Sequence, residues 1–251
     1  MDNRTTPLAD GVWRVEVGML TNALVLANDG RSDAEGLTVV DTGVAAGGAR
    51  LVRSVRMLGL DPRAVRDVLL THWHPDHAGS AARFAASSAA TRVWCSAADL
   101  PVVRGAERPP AAPADAAPRL RRMFARLIRP AAPVPAARGF RDHPGSQAGE
   151  PDIDIAAVAG GLQIVAAPGH TRGHVAVHLP AAGVLHAGDA LFNVAGLRPS
   201  PRLASSDPSA QPATLRRLAE LDFAVLSLGH GNPVLRDARA RVRRLADAAE
   251  G

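Results

Sequence analysis

The chain has 251 residues, 47% of them apolar, enough to bury a sizeable core as one domain or a domain with an insertion. Its single cysteine, Cys95, excludes an internal disulfide framework and any multi-cysteine zinc module. The net charge of +5 comes from 29 basic residues that are all arginine, and they are spread along the chain. That reads as a solvated surface rather than a nucleic-acid-binding stripe.

No apolar run approaches the ~18 residues of a membrane span. The start, "MDNRTTPLADGVWRVEV", lacks the charged, apolar, then small pattern of a secretory signal. The expectation is a cytoplasmic protein acting on a small molecule, with no nucleic-acid or membrane partner. Its oligomeric state is open, a homodimer included.

In chain order, "VWRVEV", "NALVLAND" and "GLTVVDTG" are short apolar runs bounded by Asn28-Asp29-Gly30 and Asp41-Thr42-Gly43, a strand meander. Leu51, Val55 and Leu58 then fall at helical spacing among arginines, predicting an amphipathic helix over 48–58 that Gly59 and Pro62 end. "AVRDVLLTH" predicts a buried strand, "HAGSAARFAASS" a helix and "TRVWCS" another strand.

Residues 101–149 read as a Pro/Ala/Arg-rich insertion. Between its proline-rich arms, "RLRRMFARLI" places Leu120, Phe124, Leu127 and Ile128 on one helical face. That helix is expected as a flap over a pocket; the other reading is a surface appendage or a membrane- or partner-facing helix. Strands and turns resume with "IDIAAV", "GLQIVAAPGH", "GHVAVHLP", "GVLHAGDAL" and "FAVLSLGHG", with helices predicted in "ATLRRLAELD" and "VLRDARARVRRLADAA".

The stretch "THWHPDHAGS" carries the chemistry. His72, His74, Asp76 and His77 are four ligand-type residues within six positions, just past a predicted strand. In extended geometry His72 and His74 project to one side. Asp76 and His77 follow the bend at Pro75 and aim elsewhere. Two adjacent cations suit this better than one, and imidazole with carboxylate suits zinc, manganese or iron. The alternative is a loop of ordinary polar residues, which would need no partners elsewhere. Partners exist: His170, Asp189 and His230 each follow a predicted strand, with a glycine beside each.

The elements "DTG", "THWHPDHAG", "PGHTRGH", "AGDAL" and "GHG" resemble, in order and from Asp41 to His230, the metallo-β-lactamase superfamily of binuclear metallohydrolases. The resemblance implies an α/β (α+β) fold, a four-layer αββα sandwich formed by a single domain over 1–251. It implies that His72, His74 and His170 bind a first divalent metal ion, Asp76, His77 and His230 a second, and that Asp189 bridges them. Both are expected to be Zn2+, with Mn2+ or Fe as alternatives. Asp41 is expected to support the metal loop through a ligating histidine, against the alternative of a turn aspartate. His174 is expected in a supporting or packing role, His178 and His186 as satisfied sheet residues, His143 at the surface and Cys95 as a small buried group.

The implied activity is hydrolysis of an ester, thioester, lactone or amide by a hydroxide bridging the two metals. Asp76 would orient that hydroxide or pass its proton. An iron-dependent redox enzyme and a nuclease or phosphodiesterase are the alternatives. Hydroxyacylglutathione hydrolases are the less expected branch, because they carry a longer helical C-terminal region than follows His230 here. Lactonases of the family often use a pocket tyrosine, and this chain has none. If the 101–149 helix walls the pocket, Phe124, Leu127, Arg122 and Arg126 are the candidate substrate contacts.

Overall fold

The run Asn22–Ala27 is buried along its whole length, and its residues alternate between two cores. Ala23, Val25 and Ala27 face one cluster, Leu24 and Leu26 another. A strand without a solvent face requires cover on both sides of its sheet. The architecture of this computed structural model follows from that requirement. It describes residues 4–18, 20–28, 32–109, 131–140 and 161–249.

Seven strands form the first sheet in chain order: β1 (Thr5–Ala9), β2 (Val12–Glu16), β3 (Asn22–Ala27), β4 (Leu37–Val40), β5 (Val65–Leu69), β6 (Arg92–Ser96) and β7 (Arg138–Phe140). β1 to β4 pair antiparallel and β4 to β7 parallel. The second sheet runs β13-β10-β9-β8, from β8 (Gln163–Ala166), β9 (Val175–Leu179), β10 (Val184–His186) and β13 (Val225–Ser227). A three-stranded ribbon, β12-β11-β14, joins β11 (Leu191–Asn193), β12 (Arg198–Pro199) and β14 (His230–Gly231).

Three cores separate four layers. Helices α1 (Gly47–Met57) and α3 (Ala81–Ser87) bury Leu51, Val55 and Phe84 against the outer face of the first sheet. Between the sheets lie Leu24, Leu26, Leu69, Trp94, Phe140, Ile164, Val177 and Leu179. Helices α5 (Gln211–Glu220) and α6 (Ala238–Ala248) close the other side, with Leu215, Leu218 and Val242 against Leu185 and Leu226. This is the αββα sandwich. Among the described residues no helix is long and apolar enough to cross a membrane.

The direction of the strands places the site. β4, β5 and β6 run together, and β8, β10 and β13 share one direction because β9 lies antiparallel between β8 and β10. Their carboxyl ends meet at one edge of the sandwich, where Val175 N–H donates to the Thr71 carbonyl at 2.9 Å and Asn22 N–H to that of Gly229 at 2.8 Å.

Local detail departs from the sequence reading in three places. Residues 75–87 form two short helices, α2 (Pro75–Ala78) and α3, rather than a loop and one helix. Pro75 starts the first turn with its fixed φ. The break at Gly79 sits where a Cβ would run into backbone atoms of Pro75, Ala45 and Gly43. The closing helix begins only at Ala238, because Asp237 adopts φ 53°. Part of 101–149 belongs to the sandwich: Leu100–Val103 form a short helix, α4, and Arg138–Phe140 supply β7. The predicted helix with Arg122, Phe124, Arg126 and Leu127, the run "IDIAAV" and His143 lie outside the described residues.

Candidate metal centre

Five strand ends deliver the site. Asp41 follows β4, His72 and His74 follow β5, with Asp76 and His77 on α2. His170 lies beyond β8, Asp189 beyond β10, and His230 opens β14. All seven side chains predicted as metal ligands come together here. Ligand atoms of His72, His74 and His170 lie within 4.8 Å of one another, as do those of His72, His77 and Asp189 and those of Asp76, His77 and His230.

The first group is tight. His74 Nδ1 stands 3.0 Å from His72 Nε2 and 2.8 Å from His170 Nε2. In the second, His230 Nε2 is 3.3 Å from His77 Nε2 and 3.1 Å from Asp76 Oδ2. Asp189 lies between the groups: its Oδ2 is 3.4 Å from His170 Nε2 and 3.3 Å from His230 Nε2, its Oδ1 3.4 Å from His77 Nε2. The Asp76 side chain is 36% exposed and that of His230 17%, whereas those of His77, His170 and Asp189 are at most 3% exposed. The centre therefore opens on the Asp76–His230 side.

Each buried ring is oriented by a second partner. Asp41, fully buried, accepts from the Thr71 N–H at 2.8 Å and Thr71 Oγ1 at 2.7 Å, and its Oδ2 lies 2.7 Å from His77 Nδ1. Because Thr71 Oγ1 gives its proton to Asp41, it accepts from His72 Nδ1 at 3.0 Å, leaving Nε2 free to face the cluster. His170 Nδ1 is held by Ser200 Oγ at 2.9 Å. His174 Nε2 accepts the Asp189 backbone N–H at 2.9 Å, so the expected supporting role is a backbone contact beneath the central carboxylate. Gly229 makes the closest approach possible, since a Cβ there would collide with the Asp189 carboxylate and His77.

The sequence reading missed Thr71, Ser200, Asp99 and Asn22. Asp99 ties the two histidine loops, accepting from Trp73 N–H at 3.1 Å and Thr171 Oγ1 at 3.2 Å. Asn22 donates to the carbonyls of Leu228 and Gly231 and so fixes the His230 turn. Thr71 touches the quoted motif and was open to discovery; Ser200 in "LRPSP" carries no local signal. His178 is satisfied by Gln163 Oε1 and the Asp222 carbonyl, as expected. His186 is not: its Nδ1 meets Ser227 Oγ at 3.1 Å, but Nε2 has no hydrogen-bond partner among the described residues and points toward Asp41 Oδ2, 4.0 Å away. Cys95 is buried against the α1–α3 side, as expected.

The donor set fits divalent cations. Ring nitrogens of His72, His74 and His170 converge, and the two contacts of 3.0 and 2.8 Å can each hold one proton at most, while Asp189 Oδ1 is buried without a hydrogen bond among the described residues. A buried carboxylate oxygen left unpaired is costly unless a charge meets it. Without cations, burial drives His72 and His170 well below the usual imidazole range and His74 down to about 4. At His77 and His230 burial is overcome by Asp189 and neighbouring carboxylates, which raise His77 well above the ordinary value and His230 to about 9.

The comparisons agree with this geometry. The sequence pattern of the metallo-beta-lactamase superfamily matches residues 18–230, and the chain belongs to that family. A metallo-beta-lactamase family protein from Thermus thermophilus superposes with a TM-score of 0.66 at 27% identity, over 97% of this chain and 81% of the other. A metallo-beta-lactamase from Cronobacter sakazakii gives 0.66 at 20% identity, over 98% and 92%, a likeness of fold. Among curated proteins, a hydroxyacylglutathione hydrolase from Rhodobacter capsulatus is 38% identical over 35% of this chain and 39% of its own length. One from Mesorhizobium japonicum is 39% identical over 28% and 26%. The chain thus spans about two fifths or less of the curated relatives it matches.

Two predictions follow the geometry. Cations entering the second group must displace the protons that Asp189 and Asp76 hold on His77 and His230. Metal affinity is therefore expected to rise with pH through neutrality, with net proton release on binding at neutral pH. Calorimetry in buffers of different ionisation enthalpy measures this; no proton release would contradict it. Asp41→Ala strands the Thr71 and His77 donors, and a 10–100-fold loss of metal affinity is expected in a chelator competition titration.

Proposed function

We propose that the protein is a metal-dependent hydrolase in which His72, His74 and His170 hold one divalent cation, Asp76, His77 and His230 a second, and Asp189 both. The observation that carries this is the placement of Asp189, with one oxygen toward His170 and His230 and the other, which makes no hydrogen bond among the described residues, 3.4 Å from His77 Nε2. Nitrogen and carboxylate donors at these positions favour zinc. Two such cations would supply Lewis acidity and a bound water of lowered pKa.

The chain's own groups do the rest. Asp41 and Thr71 fix the tautomers of His77 and His72, so that the Nε2 atom of each faces the centre. Asp76 lies on the open side and is held to about 2, where His77 and His230 outweigh its burial. It stays ionised at neutral pH, accepts a hydrogen bond from the attacking water and so aims it. Water adds its oxygen to the acyl carbon, the bond to the leaving group breaks, and the leaving group takes the proton. No serine or cysteine nucleophile is needed.

We infer a thioester or ester as the bond cleaved and a small molecule as the substrate. Support for the thioester comes from the partial matches to the two hydroxyacylglutathione hydrolases. The test is a screen of metal-loaded protein against thioesters, aryl esters, lactones, amides and phosphodiesters, with Asp189→Ala as the matched control. Asp189→Ala is expected to lose bound metal and at least about 100-fold in kcat/KM together, since one carboxylate serves both cations. Full activity of that variant at full two-metal occupancy would overturn the assignment.

A further inference from the structure

The ribbon β12-β11-β14 extends the site beyond the ligands. Phe192 is in register with His230 across the parallel pair β11–β14, and with Arg198 across the antiparallel pair β11–β12. Register partners present their side chains on the same face. The rings bear this out: Phe192 stacks on His230 with centroids 5.0 Å apart and planes 2° apart, and stands 6.2 Å from the His170 ring. Arg198, Phe192 and His230 therefore form a row running away from the open side of the centre. Arg198 is exposed, and among the described residues no carboxylate or carbonyl engages its guanidinium.

We propose that Arg198 is a specificity residue that binds an anionic group on the substrate, with Phe192 as the apolar floor between that anion and the scissile bond. Two strand spacings put the anchor roughly 10 Å from His230. The substrate class is an acyl compound carrying a carboxylate at the far end of an apolar spacer. An aromatic floor excludes water from the spacer, and a guanidinium fork matches a carboxylate in two hydrogen bonds. Among the described residues Arg198, at the end of an aromatic shelf, has no partner that calls for its charge. This rests on the hydrolytic reading, and its test separates the two.

The substrates are the S-phenyl monothioester of suberate, its ω-methyl ester and the shorter glutarate monothioester, with the zinc-loaded protein. Wild type is expected to prefer the suberate carboxylate over the methyl ester by about fivefold in kcat/KM, the worth of one solvent-exposed charge pair. It is also expected to prefer suberate over glutarate. Arg198→Ala should bring the carboxylate-to-methyl-ester ratio to about one, and Arg198→Lys should restore part of it. Arg202→Ala, removing a second exposed arginine four positions on, should leave the ratio as in wild type, and raised salt should lower it. A wild-type ratio of one, or a ratio unchanged in Arg198→Ala, overturns the proposal. If no acyl compound is cleaved, the hydrolytic reading falls. Calorimetry with the suberate dianion then decides the anion site, where binding weakened about fivefold by Arg198→Ala supports it and equal binding removes it.

Discussion

One buried carboxylate underlies the rest. Asp41 lies below the histidine cluster, fully buried, and takes three hydrogen bonds, from the Thr71 amide, the Thr71 hydroxyl and the His77 ring. A charge in that position is tolerated only because every partner is in place. The same bonds lock the carboxyl end of β5, set which nitrogen of His72 and His77 faces outward, and fix where α2 starts. Asp41 itself holds φ at 61°, a conformation that aspartate tolerates better than most residues. Burial disfavours its ionised form, but His77 and His186 outweigh it and keep the group below the usual carboxylate range. The backbone strain and the buried charge are the cost of presenting His72 and His77 in one orientation.

From that base the site is assembled out of two half-sandwiches. The first sheet contributes Asp41, His72, His74, Asp76 and His77, the second sheet and ribbon His170, Asp189 and His230. The halves are stitched together by Asp99, by Asn22 and by the Val175–Thr71 backbone bond. Neither half holds a complete set, since Asp189 must face His77 of one and His170 and His230 of the other. Cations held at this edge would in this sense couple their binding to the packing of the two sheets.

The gathering of these side chains was legible in the sequence because four of the candidate ligands sit within six positions and the other three each follow a valine- or leucine-rich strand. Strand ends gather at one edge of a sheet by topology alone, so position along the chain sufficed. The four layers came from the family resemblance, with which the order of strand runs and amphipathic helices along the chain agrees. What escaped was set by partners remote in sequence. Ser200 orients His170 from 30 residues away, and β12 and β14 are two-residue strands defined only by the β11 between them. His186 reads as one more residue of a buried strand. Only the fold aims its unpaired Nε2 at Asp41.

The most direct measurement is anomalous diffraction at the zinc edge from crystals of the zinc-loaded protein. The account predicts two peaks per chain, one among the ring nitrogens of His72, His74 and His170, the other among Asp76, His77 and His230, with the Asp189 carboxylate reaching both. A single peak, or density at any other group of side chains, would contradict it.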